Sequence, residues 1–398
     1  MRYAETGFNL EVDLTRGNIE RVATDPRLTE LHLGGLGTNA RIMWDRVGPE
    51  VEPFSPENLL IFSTGLLVGT PVIGCNRTVV ATFSPQTELM AFSMMGGFWA
   101  PELKYAGYDK VIFRGKSPDL VYLWINNDKV EIRDASHLTG MGSLETAEAI
   151  RQELDDPKIQ IASIGLAGEN RVYYASIEQG RSSASRGGIG AVMGDKGLKA
   201  IAVRGTNDVN VARPQELIEM CNWVMEYIRV RNENPIPGVM PILAGLGSPQ
   251  EMAIHDEKWH TENFTWGNAR ERRKGFWTEE IEKKWTDTME GMRTRLISCH
   301  NCPMKCGATI SVPGLPTYMM KCFSKLTYTM AAMSDLEFGL RIAQQATEYG
   351  VDAFSAPQVM AFALELHEAG ILTDEAFPGM PSDPEDRFFY LLDRIVRR

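Results

Sequence analysis

Apolar and polar residues alternate through Phe8, Leu10, Val12 and Leu14, break at Thr15-Arg16-Gly17-Asn18, and resume over residues 19–23. A period of two interrupted by a Gly-Asn turn predicts a β-hairpin. Residues 120–125, the polar Asn126-Asn127-Asp128 and residues 129–132 predict a second one. Short apolar runs at 159–164, 172–177 and 200–203 predict further strands. Residues 143–154 instead follow a helical period, with Ser143 placed as the N-cap.

After Gly205-Thr206-Asn207-Asp208 the texture changes. Pro214 opens a helical pattern through Arg229, and residues 330–349, 356–369 and 387–396 carry the same periodicity. The pattern predicts an α+β chain. A β-rich domain over residues 1–210 precedes a mainly α-helical domain over residues 211–398. The run Phe388-Phe389-Tyr390-Leu391-Leu392 continues to Val396 with no cap or polar tail, so a third domain is expected to be absent from this chain.

At 398 residues the chain is too long for one compact core, and 43% hydrophobic with 23% charged residues can bury a large one. A formal charge of −11 argues against a general nucleic-acid or anionic-membrane surface, because either needs a basic field over one face. The opening Met1-Arg2-Tyr3-Ala4-Glu5 lacks the layout of a secretory signal, and the longest apolar stretch, residues 59–72, is broken by Ser63, Thr64, Gly65 and Gly69. A cytoplasmic protein is expected.

Three of the six cysteines fall in Cys299-His300-Asn301-Cys302-Pro303-Met304-Lys305-Cys306. This C-x2-C-x3-C spacing lets a tight loop wrap three thiolates around one face of an iron–sulfur cubane. Zinc, completed by His300 or another residue, and plain structural cysteines are the alternatives. Cys221 reads as a core residue of its helix, and Cys75 as a neighbour of a cofactor without redox duty. Gly35-Leu36-Gly37-Thr38-Asn39-Ala40 fits G-x-G-x-x-A but follows a poor strand, and reads as a tight backbone turn. The stretch 181–196 sets Gly187, Gly188 and other small residues beside Arg181, Arg186 and Lys196, which suits a phosphate-bearing or polycyclic group approached by the main chain. A glycine-rich packing turn is its alternative.

Four motifs occur in one order: Pro85-Gln86-Thr87, the run 96–109 beginning Gly96-Gly97-Phe98-Trp99, Ile164-Gly165-Leu166-Ala167-Gly168-Glu169-Asn170, and residues 186–196. Together they resemble the aldehyde:ferredoxin oxidoreductase family. The resemblance implies a saddle-like N-terminal domain beneath a tungsten bis-pterin. It assigns pterin contacts to Arg77, to the backbone at Met94, Met95, Gly96 and Gly97, and to Arg186, Gly187 and Gly188, with Mg2+ bridging the pterin phosphates. It assigns Cys299, Cys302 and Cys306 to a 4Fe-4S cluster whose fourth ligand lies in an Asp-x-x-Gly-x-Cys motif that these residues lack. The family's second pterin motif would fall at Thr347-Glu348-Tyr349-Gly350-Val351-Asp352, where Gly350 and Asp352 are retained.

Aldehyde oxidoreductases carry an acidic stretch after the cluster motif, whereas this chain has Pro316-Thr317-Tyr318-Met319-Met320-Lys321-Cys322-Phe323. With Ser248-Pro249-Gln250-Glu251 and Lys258-Trp259-His260-Thr261-Glu262-Asn263, this is similar to the tungsten subunits of class II benzoyl-coenzyme A reductases. That likeness implies Cys322 as a tungsten ligand, His260 as proton donor and Glu251 as its neighbour. It further implies a benzoyl-CoA or related aryl-CoA substrate, a ferredoxin-like iron–sulfur electron-transfer subunit and a larger hetero-oligomer. Aldehyde oxidation is the alternative activity, and a noncatalytic scaffold or electron-transfer subunit the alternative of another class. The basic run Arg270-Glu271-Arg272-Arg273-Lys274 reads as a solvated face, or as a contact for coenzyme A phosphates.

Overall fold

The structure, a computed structural model, describes residues 2–180, 182–233, 278–303, 307–320 and 324–397. Its first half holds two six-stranded sheets. Sheet one comprises β1 (Phe8–Asp13), β2 (Asn18–Ala23), β3 (Leu60–Thr64), β4 (Thr78–Phe83), β5 (Met90–Met95) and β6 (Lys110–Arg114), in the order β2-β1-β6-β3-β4-β5. Sheet two comprises β7 (Val121–Asn126), β8 (Lys129–Asp134), β9 (Gln160–Ile164), β10 (Ile177–Gln179), β11 (Ser182–Ala184) and β12 (Leu198–Arg204), in the order β11-β10-β9-β12-β7-β8. Pairing is antiparallel except between β1 and β6 and between β7 and β12.

Alternation along each strand decides what the sheets cover. Leu60 and Phe62 of β3 join Leu123 and Ile125 of β7 in one core between the sheets. Leu59 and Ile61 face the other way and pack on Ile42 and Met43 of a helix. Tyr122 and Trp124 likewise turn outward onto Ala147 and Ile150. Because both faces of β3 are covered, all five of its residues are buried, the polar Ser63 and Thr64 among them.

The helices of this half are α1 (Pro26–His32), α2 (Leu36–Arg46), α3 (Trp99–Tyr105), α4 (Ser143–Glu153), α5 (Leu166–Glu169) and α6 (Ile189–Asp195). Asp25 caps α1 through a side-chain bond from Arg27 N, so the segment before Gly35 is helical and no strand precedes the glycines. Gly35, at φ 52°, starts α2, which settles that stretch as a backbone turn. Ser143 is the first residue of α4 and Gly142 is the cap; the Ser143 hydroxyl donates instead to the Thr347 carbonyl at 2.6 Å. The predicted strand at 172–177 is irregular except for Ile177, because its amides bond locally and to Gly350.

The second half contains α7 (Pro214–Glu233), α8 (Glu279–Met292), α9 (Ser324–Ala332), α10 (Leu336–Tyr349), α11 (Ser355–Glu368) and α12 (Pro384–Arg397). The helix expected over 330–349 is two: Met333 adopts φ 53° and Asp335 caps α10 through Phe338 N. A small sheet of β13 (Arg293–Ile297), β14 (Gly307–Ile310) and β15 (Tyr318–Met320) was not anticipated; its strands are three to five residues long. Among the described residues no helix is long and apolar enough to cross a membrane.

The halves share a core: Ala167, Val172, Ala175 and Ala191 pack with Phe338, Ile342, Phe388 and Leu392. A polar seam runs beside it. Glu348 accepts from Leu144 N at 3.0 Å at the start of α4, where a helix N-terminus favours negative charge. Burial still raises its pKa against those amides. Ser176 N donates to Gly350 O at 2.7 Å and Asp352 N to Tyr174 O at 2.9 Å.

Near the first sheet, Lys104 and Asp109 form a buried ion pair at 2.6 Å. Burial pushes the Asp109 carboxyl up, but Lys104, Lys110 and the Thr6 amide outweigh it and hold the carboxyl below its ordinary value. Its stabilisation is therefore present above about pH 4, the unfolded carboxylate value, and is lost as pH falls through the folded one. Lys104→Met leaves a buried unpaired carboxylate and is expected to destabilise the fold by ~3–5 kcal/mol at neutral pH. Chemical denaturation checks this, and an unchanged midpoint contradicts it.

Candidate functional site

The cysteine loop leaves β13 at Ile297 and runs over the turn that joins β5 to α3. Contact there is main chain against main chain. His300 N donates to Gly97 O at 3.2 Å, and Gly74 N donates to Asn301 O at 2.8 Å. The Asn76 side chain donates to His300 O at 3.0 Å, and the Asn301 amide donates to the carbonyls of Pro71 at 2.5 Å and Val72 at 3.2 Å. Asn301 sits at φ 45°, a left-handed conformation that Asn tolerates better than most side chains. Cys302 N closes back on Cys299 O at 3.2 Å, which sets both cysteines in one tight bend.

Gly96 is the point of closest approach. A Cβ built there would stand 2.8 Å from Cys299 Sγ, 3.3 Å from Ser182 Oγ and 3.5 Å from Arg77 Nη1. Gly97, at φ 111°, occupies backbone space that other residues rarely adopt, and a Cβ there would overlap Gln179. The expected site residues Arg77, Gly96, Gly97 and Cys299 thus meet at one place. Cys302 lies three residues on in the same bend, while Cys306 falls outside the described residues.

A second cluster lies beyond β5. Ala91 and Ser93 face the 185–188 turn: a Cβ on Gly187 would be 2.6 Å from Ala91 Cβ, and Arg186 N donates to Ser93 Oγ at 3.3 Å. Arg186 is mostly exposed, stands 3.6 Å from the buried Asp352 and lies 5.1 Å from the Phe354 ring centre. Asp352 itself accepts from Ser355 N at 2.9 Å and Ser355 Oγ at 2.6 Å.

Other expected contacts are placed differently. Met95 is buried in the core between the sheets, so its side chain faces away from any ligand and only its backbone is available. Met94 is exposed on the opposite face of β5, beside Phe92 and Met90. Gly188 caps α6 and is pressed against Tyr173 O and Pro85, while Gly350 ends α10 in left-handed conformation against Gly165 N; both serve packing first. Lys196 does not join Arg186: it is buried, donates to Gly115 O at 3.1 Å, and burial lowers its pKa to about 8. Cys221 is half-exposed on α7 rather than core, with its thiol 3.2 Å from Pro71 O.

His260, Glu251 and Cys322, and the basic run at 270–274, lie outside the described residues. Among the described residues no three His, Cys, Asp or Glu side chains gather around a metal position. His300 is half-buried, with Nε2 3.3 Å from the Tyr105 hydroxyl, and burial lowers its pKa. It therefore favours a neutral imidazole. The clamps Asn76 and Asn301 were missed from sequence. Their only signal was adjacency to Arg77 and to the cysteines, since an Asn bonding to carbonyls far along the chain has no local pattern.

Comparison with known proteins gives the chain's family. The profile for the aldehyde ferredoxin oxidoreductase N-terminal domain matches residues 9–205, and that for domains 2 and 3 matches residues 224–398. A tungsten-containing aldehyde ferredoxin oxidoreductase of Pyrococcus abyssi (strain GE5 / Orsay) is 34% identical, covering 98% of this chain and 64% of its own length. Its counterpart in Pyrococcus furiosus (strain ATCC 43587 / DSM 3638 / JCM 8422 / Vc1) is 32% identical, covering 100% of this chain and 65% of its own length. Among solved structures, the active site complex BamBC of benzoyl coenzyme A reductase, in complex with 1,5-dienoyl-CoA, superposes with a TM-score of 0.95 and 77% identity over 100% of this chain and 61% of that one. The chain thus spans just under two thirds of these relatives. It belongs to the aldehyde ferredoxin oxidoreductase family.

Proposed function

We propose that this chain is the greater part of the tungsten-bearing catalytic subunit of a benzoyl-coenzyme A reductase, which reduces the aromatic ring of an aryl-CoA thioester to a cyclic dienoyl-CoA. The observation that carries this reading is 77% identity over the whole chain to a protein whose complex holds 1,5-dienoyl-CoA, the chemistry expected of the product. The second reading, oxidation of an aldehyde, rests on the names of relatives at 34% identity or less.

The residues present fit a phosphate-bearing cofactor beside a cluster. Bare backbone at Gly96 lets Cys299 Sγ and the exposed Arg77 come together, and the exposed Arg186 stands next to the bare backbone of Gly187. In this reading Arg77, the backbone of Met94 to Gly97, and Arg186 to Gly188 would hold a tungsten bis-pterin together with Mg2+. Gly350 and Asp352 support the second pterin, Asp352 by steadying Arg186 at 3.6 Å. Cys299, Cys302 and Cys306 hold a 4Fe-4S cluster, and Cys322 offers a soft thiolate to tungsten. When bound, these groups supply low-potential electrons received from a ferredoxin-like iron–sulfur subunit within a larger hetero-oligomer.

The protein's own task is to place the ring, exclude water and deliver a proton. The thioester carbonyl withdraws charge from the ring, and a dry site keeps strongly reducing electrons from being lost to protons of water. His260 holds the proton that meets charge developing on the ring, and Glu251 orients or charge-balances it.

Two substitutions test the assignment in anaerobically purified enzyme with its electron-donating partner. His260→Ala is expected to slow benzoyl-CoA reduction by ~10²–10⁴-fold with tungsten content unchanged, as loss of a general acid does; normal turnover removes the role. Cys322→Ala is expected to lower tungsten per chain. Full tungsten together with wild-type turnover counts against ligation by that thiol.

A further inference from the structure

Gln179 closes β10 and is 94% buried, its relative exposure being 6%. Its orientation follows from its neighbours. Gln160 donates from Nε2 to Lys158 O at 2.9 Å, so its Oε1 must be the atom turned toward Gln179, which donates from Nε2 at 3.3 Å. Gln179 Oε1 therefore points the other way, at Gly97. A Cβ built on Gly97 would lie 1.8 Å from that oxygen, so only a glycine Cα hydrogen can face it.

Gln179 Oε1 accepts no conventional hydrogen bond among the described residues. Burying an unpaired amide oxygen is destabilising, a cost an apolar side chain of similar size would avoid. What the amide provides is direction. It presses a carbonyl dipole on the Cα hydrogen of a residue at φ 111°, whose own carbonyl accepts from His300 N at 3.2 Å. Gly96, next in the chain, abuts Cys299 Sγ.

We propose that Gln179 is a positioning residue for the cysteine loop, joining β9 and β10 of sheet two through Gly97 to the backbone of His300 and so fixing where Cys299 stands. This rests on the iron–sulfur reading given above. Gln179 acts through the turn. Its influence is on the geometry of the cluster that Cys299 would hold, and only secondarily on whether a cluster is held.

The test is made on the full-length protein, purified anaerobically and reduced, by iron content and by the electron paramagnetic resonance spectrum of the cluster. Wild-type protein carrying iron and a cluster spectrum establishes the reading beneath the inference; wild-type protein without iron overturns both. In iron-bearing protein, Gln179→Leu is expected to keep its iron, to shift and broaden the cluster lines, and to release iron to a chelator roughly threefold faster, the scale of one weak C–H···O contact. Gln160→Ala, which removes the support from the far side, is expected to shift the lines in the same direction by less. A wild-type spectrum in Gln179→Leu overturns the proposal, and if that variant does not fold, a wild-type spectrum in Gln160→Ala does so.

Discussion

The site depends on the close approach of two stretches of main chain. The 299–302 bend can bond to Gly97 and Gly74 only because no side chain intervenes: Gly96 leaves 2.8 Å between a would-be Cβ and Cys299 Sγ. Placing the cysteine loop by backbone amides and carbonyls fixes it more tightly than long side chains could, since few rotors need to be frozen. Arg77 then lies within reach of the same point, because the loop that carries Asn76 into contact with His300 continues directly into β4.

That approach is held by the way the two halves meet. The helices of the second half do not sit on the sheets as a separate body. Helices α9 to α12 share a core with α5 and α6, and the end of α10 is bonded to the start of α4 and to residues 174–176. Asp352 joins this seam through its amide, which donates to Tyr174 O, while its buried carboxylate stands beside Arg186, so one residue touches both the contact between halves and the second side of the site.

The strands were legible where alternation was clean: both hairpins and the runs at 159–164 and 200–203 appear as β1–β2, β7–β8, β9 and β12. The α+β class follows from them. Where local hydrogen bonding overrode pattern, reading failed: residues 172–176 are apolar yet spend their amides on turns and on Gly350. Helices 330–349 looked continuous because their apolar period survives the break, while the left-handed Met333 that causes it carries no sequence mark. At the site, glycines and cysteines announced themselves by composition. Gln179, Asn76 and Asn301 did not, because the partners of Asn76 and Asn301 lie 224 to 230 residues away and the role of Gln179 depends on which way an amide faces.

Everything proposed for catalysis requires that the bare-backbone seat and the cysteine loop hold a dithiolene-bound metal and a cubane together. Elemental and pterin analysis of the anaerobically purified protein measures this directly. The account predicts tungsten with about two pterins and four iron atoms per chain, the content of one bis-pterin and one cubane. Protein that carries zinc alone, or iron with neither pterin nor a group-six metal, contradicts it.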